Sequence, residues 1–281
     1  MTPTLLFACD LSAENRAAFA RAVRLANASG VRLDAIHVLD PYLPHQILHD
    51  LEEAVITDMQ SMLRDVREDY ALPEPQVLLQ TVTGAPYAEI IRAAHDRAAD
   101  LIVLGAHRKR GQPDLVLGTT LVRVMRSAPC PVLTVIRPAN QDWQEILVPI
   151  DFSLASRNTL REVLRRFPDA RLTLLHAWDI PGERELGSDS DYARWRDHEV
   201  ERLRRQLERE TDQLMTEFDS VPEVELVLEQ GDTLEVLLTR LRRQPPDLLA
   251  LSSRGQLGRP SPITEALLAE PHCDIMLCRA W

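Results

Sequence analysis

No apolar run in this 281-residue chain approaches the roughly 20 residues that a membrane-spanning helix needs. The start, Met1 to Phe7, has neither the basic opening nor the apolar length of a secretory signal, so a soluble cytoplasmic protein is expected. Net positive charge is also missing. At −11 the molecule as a whole repels a nucleic-acid groove or an anionic membrane surface, and neither is expected as a partner. Cysteine is scarce, and Cys9, Cys130, Cys273 and Cys278 sit in or beside apolar runs. They lack paired C-x-x-C spacing and supporting histidines, which argues against a structural zinc and reads as buried free thiols. Also absent are a G-x-S-x-G elbow, a metal-binding histidine pair and a G-x-x-x-x-G-K-[ST] phosphate loop. Without that lysine and a magnesium-binding acid pair, fast ATP hydrolysis lacks its parts.

What the chain does have is an internal duplication. Gly84-Ala-Pro-Tyr-Ala-Glu-Ile-Ile leads to Asp100-Leu-Ile-Val-Leu-Gly105, and Gly231-Asp-Thr-Leu-Glu-Val-Leu-Leu leads to Asp247-Leu-Leu-Ala-Leu-Ser252, with the same 16-residue step from glycine to aspartate. The pairs Asp10 and Asp151, His37 and His176, and Cys130 and Cys273 fall 139 to 143 positions apart. A repeat of that length is a domain, not a solenoid unit. Two domains are expected, 1–138 and 143–281, joined by the short polar stretch Pro138 to Asp142.

Each half alternates short apolar runs with amphipathic segments, the pattern of βαβ units and a mainly parallel sheet. In the first half, strands are predicted at Leu5–Cys9, Val31–Val38, Val77–Val82, Leu101–Leu104 and Pro131–Ile136, with helices at about 46–70, 87–97 and 119–127. Ser12 reads as the N-cap of the first helix. The second half repeats the order from Ile146 onward. Its long charged helix, Asp189 to Phe218, is predicted to turn Trp195, Leu203, Leu207 and Leu214 inward.

Ligands of open α/β sheets bind beyond the carboxyl ends of the strands, where the winding reverses. If the first and fourth strands flank that reversal, Asp10 and Gly105 face each other. The segment after Gly105 contains His107, the basic triplet Arg108-Lys109-Arg110, and Gly118-Thr119-Thr120 at a helix start. Glycine at a strand end permits a close backbone approach, and a helix N-terminus with hydroxyls offers donors to an anion. On the residues alone, a structural turn is the plainer reading and a phosphate site the second. His37 and His176 lie within strands with no nucleophile beside them, so a local hydrogen bond explains them better than catalysis. His107 is the histidine placed to meet a bound phosphate.

The chain resembles a tandem universal stress protein. The likeness rests on Asp10-Leu-Ser12, His37-Val38, Gly84-Ala-Pro, Asp100 to Gly105, Gly118-Thr119 and Ala128-Pro-Cys-Pro-Val132, and it extends over both halves. It implies an α/β fold of two similar domains, each an open five-stranded parallel sheet of order 3-2-1-4-5 with helices on both faces. It also implies ATP, with or without magnesium, as the ligand. Asp10 and Val38 would flank the nucleoside, and Gly105, Gly118, Thr119 and Thr120 would hold ribose and phosphates. In the family pattern, Gly-x-x-Gly is followed by nine residues and then Gly-Ser or Gly-Thr. The spacing agrees here, but Arg108 replaces the second glycine. Two consequences stay open: the arginine closes the phosphate gap, or its guanidinium pairs with phosphate.

The second copy departs further. Ser252 replaces the first glycine, and Ser261-Pro262 stands where Gly118-Thr119 would, 9 residues beyond the strand end against 13 in the first half. Pro260 and Pro262 remove backbone donors, so a degenerate second domain is expected. The leading reading is a non-enzymatic stress-response regulator binding adenine nucleotide in its first domain. A nucleotide-independent interaction scaffold is second and a slow ATPase third. Since the family's fifth strands pair between subunits, an intramolecular pseudo-dimer is expected here. A homodimer and an unidentified protein partner are further options.

Overall fold

The structure, a computed structural model, describes residues 3–105, 119–179, 190–218, 222–253, 262–269 and 271–279. The chain forms two compact units, Met1–Asp142 with Gly255–Leu277, and Trp143–Arg254 with Cys278–Trp281.

In the first unit, β1 Thr4–Ala8, β2 Arg32–Leu39, β3 Val77–Thr83, β4 Ala99–Gly105 and β5 Val132–Val135 lie in the order β3-β2-β1-β4-β5, all parallel. The near-continuous apolar runs of β1 and β4 follow from this, because central parallel strands are covered on both faces. Helix α1 (Arg16–Ser29) packs on β1, β2, β4 and β5 with α2 (His45–Asp69) beside it. The other face carries α3 (Pro86–Asp96) packed against α4 (Thr119–Ser127). Phe7 on β1 stacks on Phe19 of α1, ring centroids 4.7 Å apart and both side chains fully buried, which fixes α1 over the sheet.

The fifth strand of the second repeat, β10 (Asp274–Arg279), runs antiparallel to β5, with Ile275 opposite Thr134 and Leu277 opposite Val132. The fifth strands of the two repeats therefore pair with each other, as the family resemblance implies of a pseudo-dimer, and β5 is not left as an open edge. The segment after β5 is tied down as well. Arg24 donates to the carbonyls of Ala139 (3.1 Å) and Asn140 (3.2 Å), and Arg21 to that of Gln141 (2.9 Å).

In the second unit, β6 Glu145–Pro149, β7 Arg171–Trp178, β8 Val224–Gln230 and β9 Leu248–Ser253 lie in the order β9-β6-β7-β8, with parallel neighbours. This repeats the winding of β4-β1-β2-β3. Its helices are α5 (Leu154–Arg166), α6 (Ser190–Met215) and α7 (Thr233–Arg243). Helix α8 (Pro262–Ala269) belongs to the first unit.

Two local expectations are corrected. Ser12 heads a 3-10 turn, Ala13–Asn15, and not α1 itself, and its hydroxyl donates to Asp10 instead of capping a helix. Its counterpart Ser153 does cap α5, accepting from Ser156 N–H at 3.2 Å. On α6, Leu203, Leu207 and Leu214 are buried but Trp195 is 47% exposed. At about 100° per residue Trp195 lies roughly 80° off the Leu203–Leu214 stripe. Tyr192, eleven positions before Leu203, falls on the stripe and is buried, and Trp195 tilts against its ring at 5.8 Å. Among the described residues no helix is long and apolar enough to cross a membrane.

Candidate functional site

Winding reverses between β1 and β4, and the register there brings three of the sequence-derived residues to one edge. Ala8 pairs with Ile36 on one side and Leu104 on the other. Asp10 is two positions past Ala8, Val38 two past Ile36 and Gly105 one past Leu104, so all three stand at the carboxyl ends of adjacent strands. Thr119 opens α4 and Thr120, half-buried, follows it in the first turn. His107, Arg108 and Gly118 lie outside the described residues.

The turn leaving β1 is built on a carboxylate. Asp10 Oδ1 accepts from Ser12 N–H at 3.0 Å and from Ser12 Oγ–H at 2.8 Å. These bonds hold Leu11 at φ 60°, in the left-handed region, which costs a residue with a Cβ about 1–2 kcal/mol. The second repeat has the same device: Asp151 Oδ1 accepts from Ser153 N–H (3.1 Å) and Oγ–H (2.5 Å), with Phe152 at φ 61°. Both repeats keep this strain in a turn that places an exposed acid at the strand end.

The paired histidines brace these turns. His37 Nδ1–H donates to the Cys9 carbonyl at 2.9 Å, and His176 Nδ1–H to that of Ile150 at 2.7 Å. Since a carbonyl only accepts, the proton is on Nδ1 in both rings. In the second repeat the Phe152 ring lies against His176, centroids 4.6 Å apart.

One residue that the sequence reading missed lies at the floor of the first crevice. Asn15, only 2% exposed, donates from Nδ2 to the Ala8 carbonyl at 3.4 Å, while its buried Oδ1 has no hydrogen-bond partner among the described residues. It stands against Gly105, where an added Cβ would come within 3.3 Å of Asn15 Cγ. Gly105 thus relieves a tight approach to its neighbour, whatever it does for a ligand. The second repeat carries different residues at the two equivalent positions. Leu5 pairs with Leu101 and Ile146 with Leu248, so Ser252 takes the register of Gly105, and Ser156 takes the place of Asn15. A larger residue at the strand end is matched by a smaller one on the helix. The signal was present in the sequence as Asn15 against Ser156, but only the register made them partners of 105 and 252.

Helix α8 begins at Pro262 where α4 begins at Thr119. Arg254, Gly255, Pro260 and Ser261 lie outside the described residues.

All four cysteines are free and buried. Burial pushes the Cys9 thiol, next to Asp10, up to about 11, and Cys278 up to about 12. At pH 8 only about one Cys9 in a thousand is then thiolate. Alkylation by iodoacetamide is expected to leave Cys9 unmodified in the native protein and to reach it only under denaturant. Peptide mapping that finds native Cys9 labelled as fast as a free thiol would contradict this burial.

A model of the universal stress protein family matches residues 1–135 and again 142–279. A universal stress protein from Thermus aquaticus is 34% identical over 139 residues, covering 48% of this chain and 99% of that protein. Among solved structures, a universal stress protein from Archaeoglobus fulgidus aligns over 98% of both chains with a TM-score of 0.65 and 17% identity. A functionally unknown protein from Pseudomonas aeruginosa aligns over 99% of this chain and 92% of its own, with a TM-score of 0.69 and 15% identity. These two show likeness of fold across the whole tandem.

Proposed function

The chain belongs to the universal stress protein family, and we propose that it is a regulatory, non-enzymatic member that holds ATP in the crevice of its first repeat. The observation that supports this most is the convergence of Asp10, Val38 and Gly105 on the carboxyl edge of β1, β2 and β4, with α4 opening just beyond. Asp10 and Val38 would flank the nucleoside, and Gly105, His107, Gly118, Thr119 and Thr120 would face ribose and phosphates. Arg108 would supply a charge-assisted contact to phosphate where the family pattern has a backbone approach.

The second repeat is read as degenerate. It replaces the strand-end glycine with Ser252, opens its helix with Pro262, and lays Phe152 across His176. Arg108 also supports a second reading, an interaction scaffold that uses no nucleotide.

A titration separates the two. ATP at about 100 times its Kd should stabilise the full-length protein by roughly 2.7 kcal/mol, read as a rise in melting temperature. No rise at millimolar ATP returns the scaffold. Phosphate release that disappears in Gly118→Val would instead make the protein a slow ATPase.

A further inference from the structure

We propose that the second compact unit carries a site for a small zwitterion of the α-amino-acid type, distinct from either strand-end crevice. It is a cavity of about 170 Å³ at the amino ends of β6, β7 and β8, under the last turn of α7. Arg171, Thr173, Glu145, Glu225, Arg240 and Gln244 are among its lining residues. The volume equals the share of about six water molecules, room for an alanine or a serine.

The first repeat shows what normally fills this place. There Asp34 is flanked in register by Leu6 and Leu78, as Thr173 is flanked by Leu147 and Glu225. Asp34 is fully buried and receives Arg32 in a two-pronged pair at 2.6 and 2.9 Å. Arg97, the residue closing α3, reaches the same carboxylate at 3.4 Å and Gln80 Oε1 at 2.5 Å. In the second repeat the carboxylate has become Thr173 and the helix-closing arginine Gln244. Arg171 keeps the position of Arg32 but has lost its planar partner.

The charged groups of the lining pair among themselves and with Glu223 and Glu229. Arg171 lies 3.4 Å from Glu145 and 3.3 Å from Glu223. Arg240 holds Glu229 at 3.0 Å but stands 4.0 Å from Glu225. Thr173 Oγ donates to Glu225 at 3.4 Å, a stretched bond. A carboxylate entering between Arg171, Arg240 and Thr173 restores the pair that Asp34 makes in the first repeat. The same lining offers Glu145 and Glu225 to an ammonium group. A lining of two guanidinium groups and two carboxylates matches a ligand carrying both signs better than an anion alone.

The test uses the full-length chain and three probes, alanine, acetate and methylammonium, titrated by isothermal calorimetry or ligand-observed NMR. Alanine is expected to bind saturably and at least about tenfold more tightly than either single-charge probe. The double variant Thr173→Asp/Gln244→Arg rebuilds the plug of the first repeat. It should fold, as judged by circular dichroism, and weaken alanine about tenfold or more. Acetate binding as well as alanine, undiminished binding in the plugged variant, or no saturable binding of any probe would each overturn the proposal. ATP binding is assigned to the other unit, so the plugged variant should keep whatever ATP response the wild type has. The two readings therefore stand or fall separately.

Discussion

Replacing Asp274 with alanine is expected to destabilise the first compact unit by about 3–5 kcal/mol. For a unit of this size that lowers the melting temperature by roughly 6–20 °C. Asp274 is fully buried, and its Oδ1 accepts from Ile136 N–H at 2.9 Å and Arg137 N–H at 3.1 Å. Its other oxygen lies 3.9 Å from Nε of Arg21, whose side chain is 4% exposed. Truncation strips the carboxylate from a buried guanidinium and takes the acceptor from two backbone donors at the end of β5. Asp274→Asn retains an acceptor oxygen and removes the charge, so its loss should be smaller. Arg21→Met combined with Asp274→Ala should cost clearly less than the two single changes added, because neither charge is then left alone. Urea denaturation of the four proteins measures the cycle. An Asp274→Ala midpoint close to wild type would mean that the carboxylate contributes nothing to holding β10 on β5.

The second large effect concerns the floor of the first crevice. Gly105→Ser is expected to cost about 1–3 kcal/mol, since its Cβ must press on Asn15, whose buried Cγ would be 3.3 Å away. It should also abolish the roughly 2.7 kcal/mol of stabilisation proposed for saturating ATP. Adding Asn15→Ser copies the residues that the second repeat carries at the equivalent positions, Ser252 and Ser156. The double variant should recover at least about 1 kcal/mol relative to simple addition, while ATP stays without effect. Thermal melts with and without ATP read both quantities. Additive costs would show that Asn15 and Gly105 are not coupled. A full ATP response in the double variant would take Gly105 out of the nucleotide site.

Much of the fold was legible because parallel, doubly covered strands must be apolar on both faces. Leu5 to Cys9 and Leu101 to Leu104 announced their strands to within a residue or two. The long helices were legible from their periodic apolar faces. Trp195 was misjudged because size and hydrophobicity do not fix angular position, and the phase of α6 gives its inward place to Tyr192. Ser12 was misjudged because the same residue type can cap a helix or serve an aspartate two positions earlier. Of the candidate site, Asp10 and Gly105 were found from the strand ends and Val38 from the family resemblance, and register then placed them side by side.

By itself the sequence determined the duplication, the βαβ class and the approximate ends of the strands, since these follow from local periodicity and from spacing repeated along one chain, and its motifs carried the resemblance to the family. Tertiary structure alone decided which distant side chains are partners: Asn15 with Gly105, and Asp274 with Arg21. It also decided that Arg171 lines a cavity where Arg32 grips an acid. The reason is physical. Burial and pairing depend on distances across strands and between helices, and such distances exist only after the chain has closed on itself.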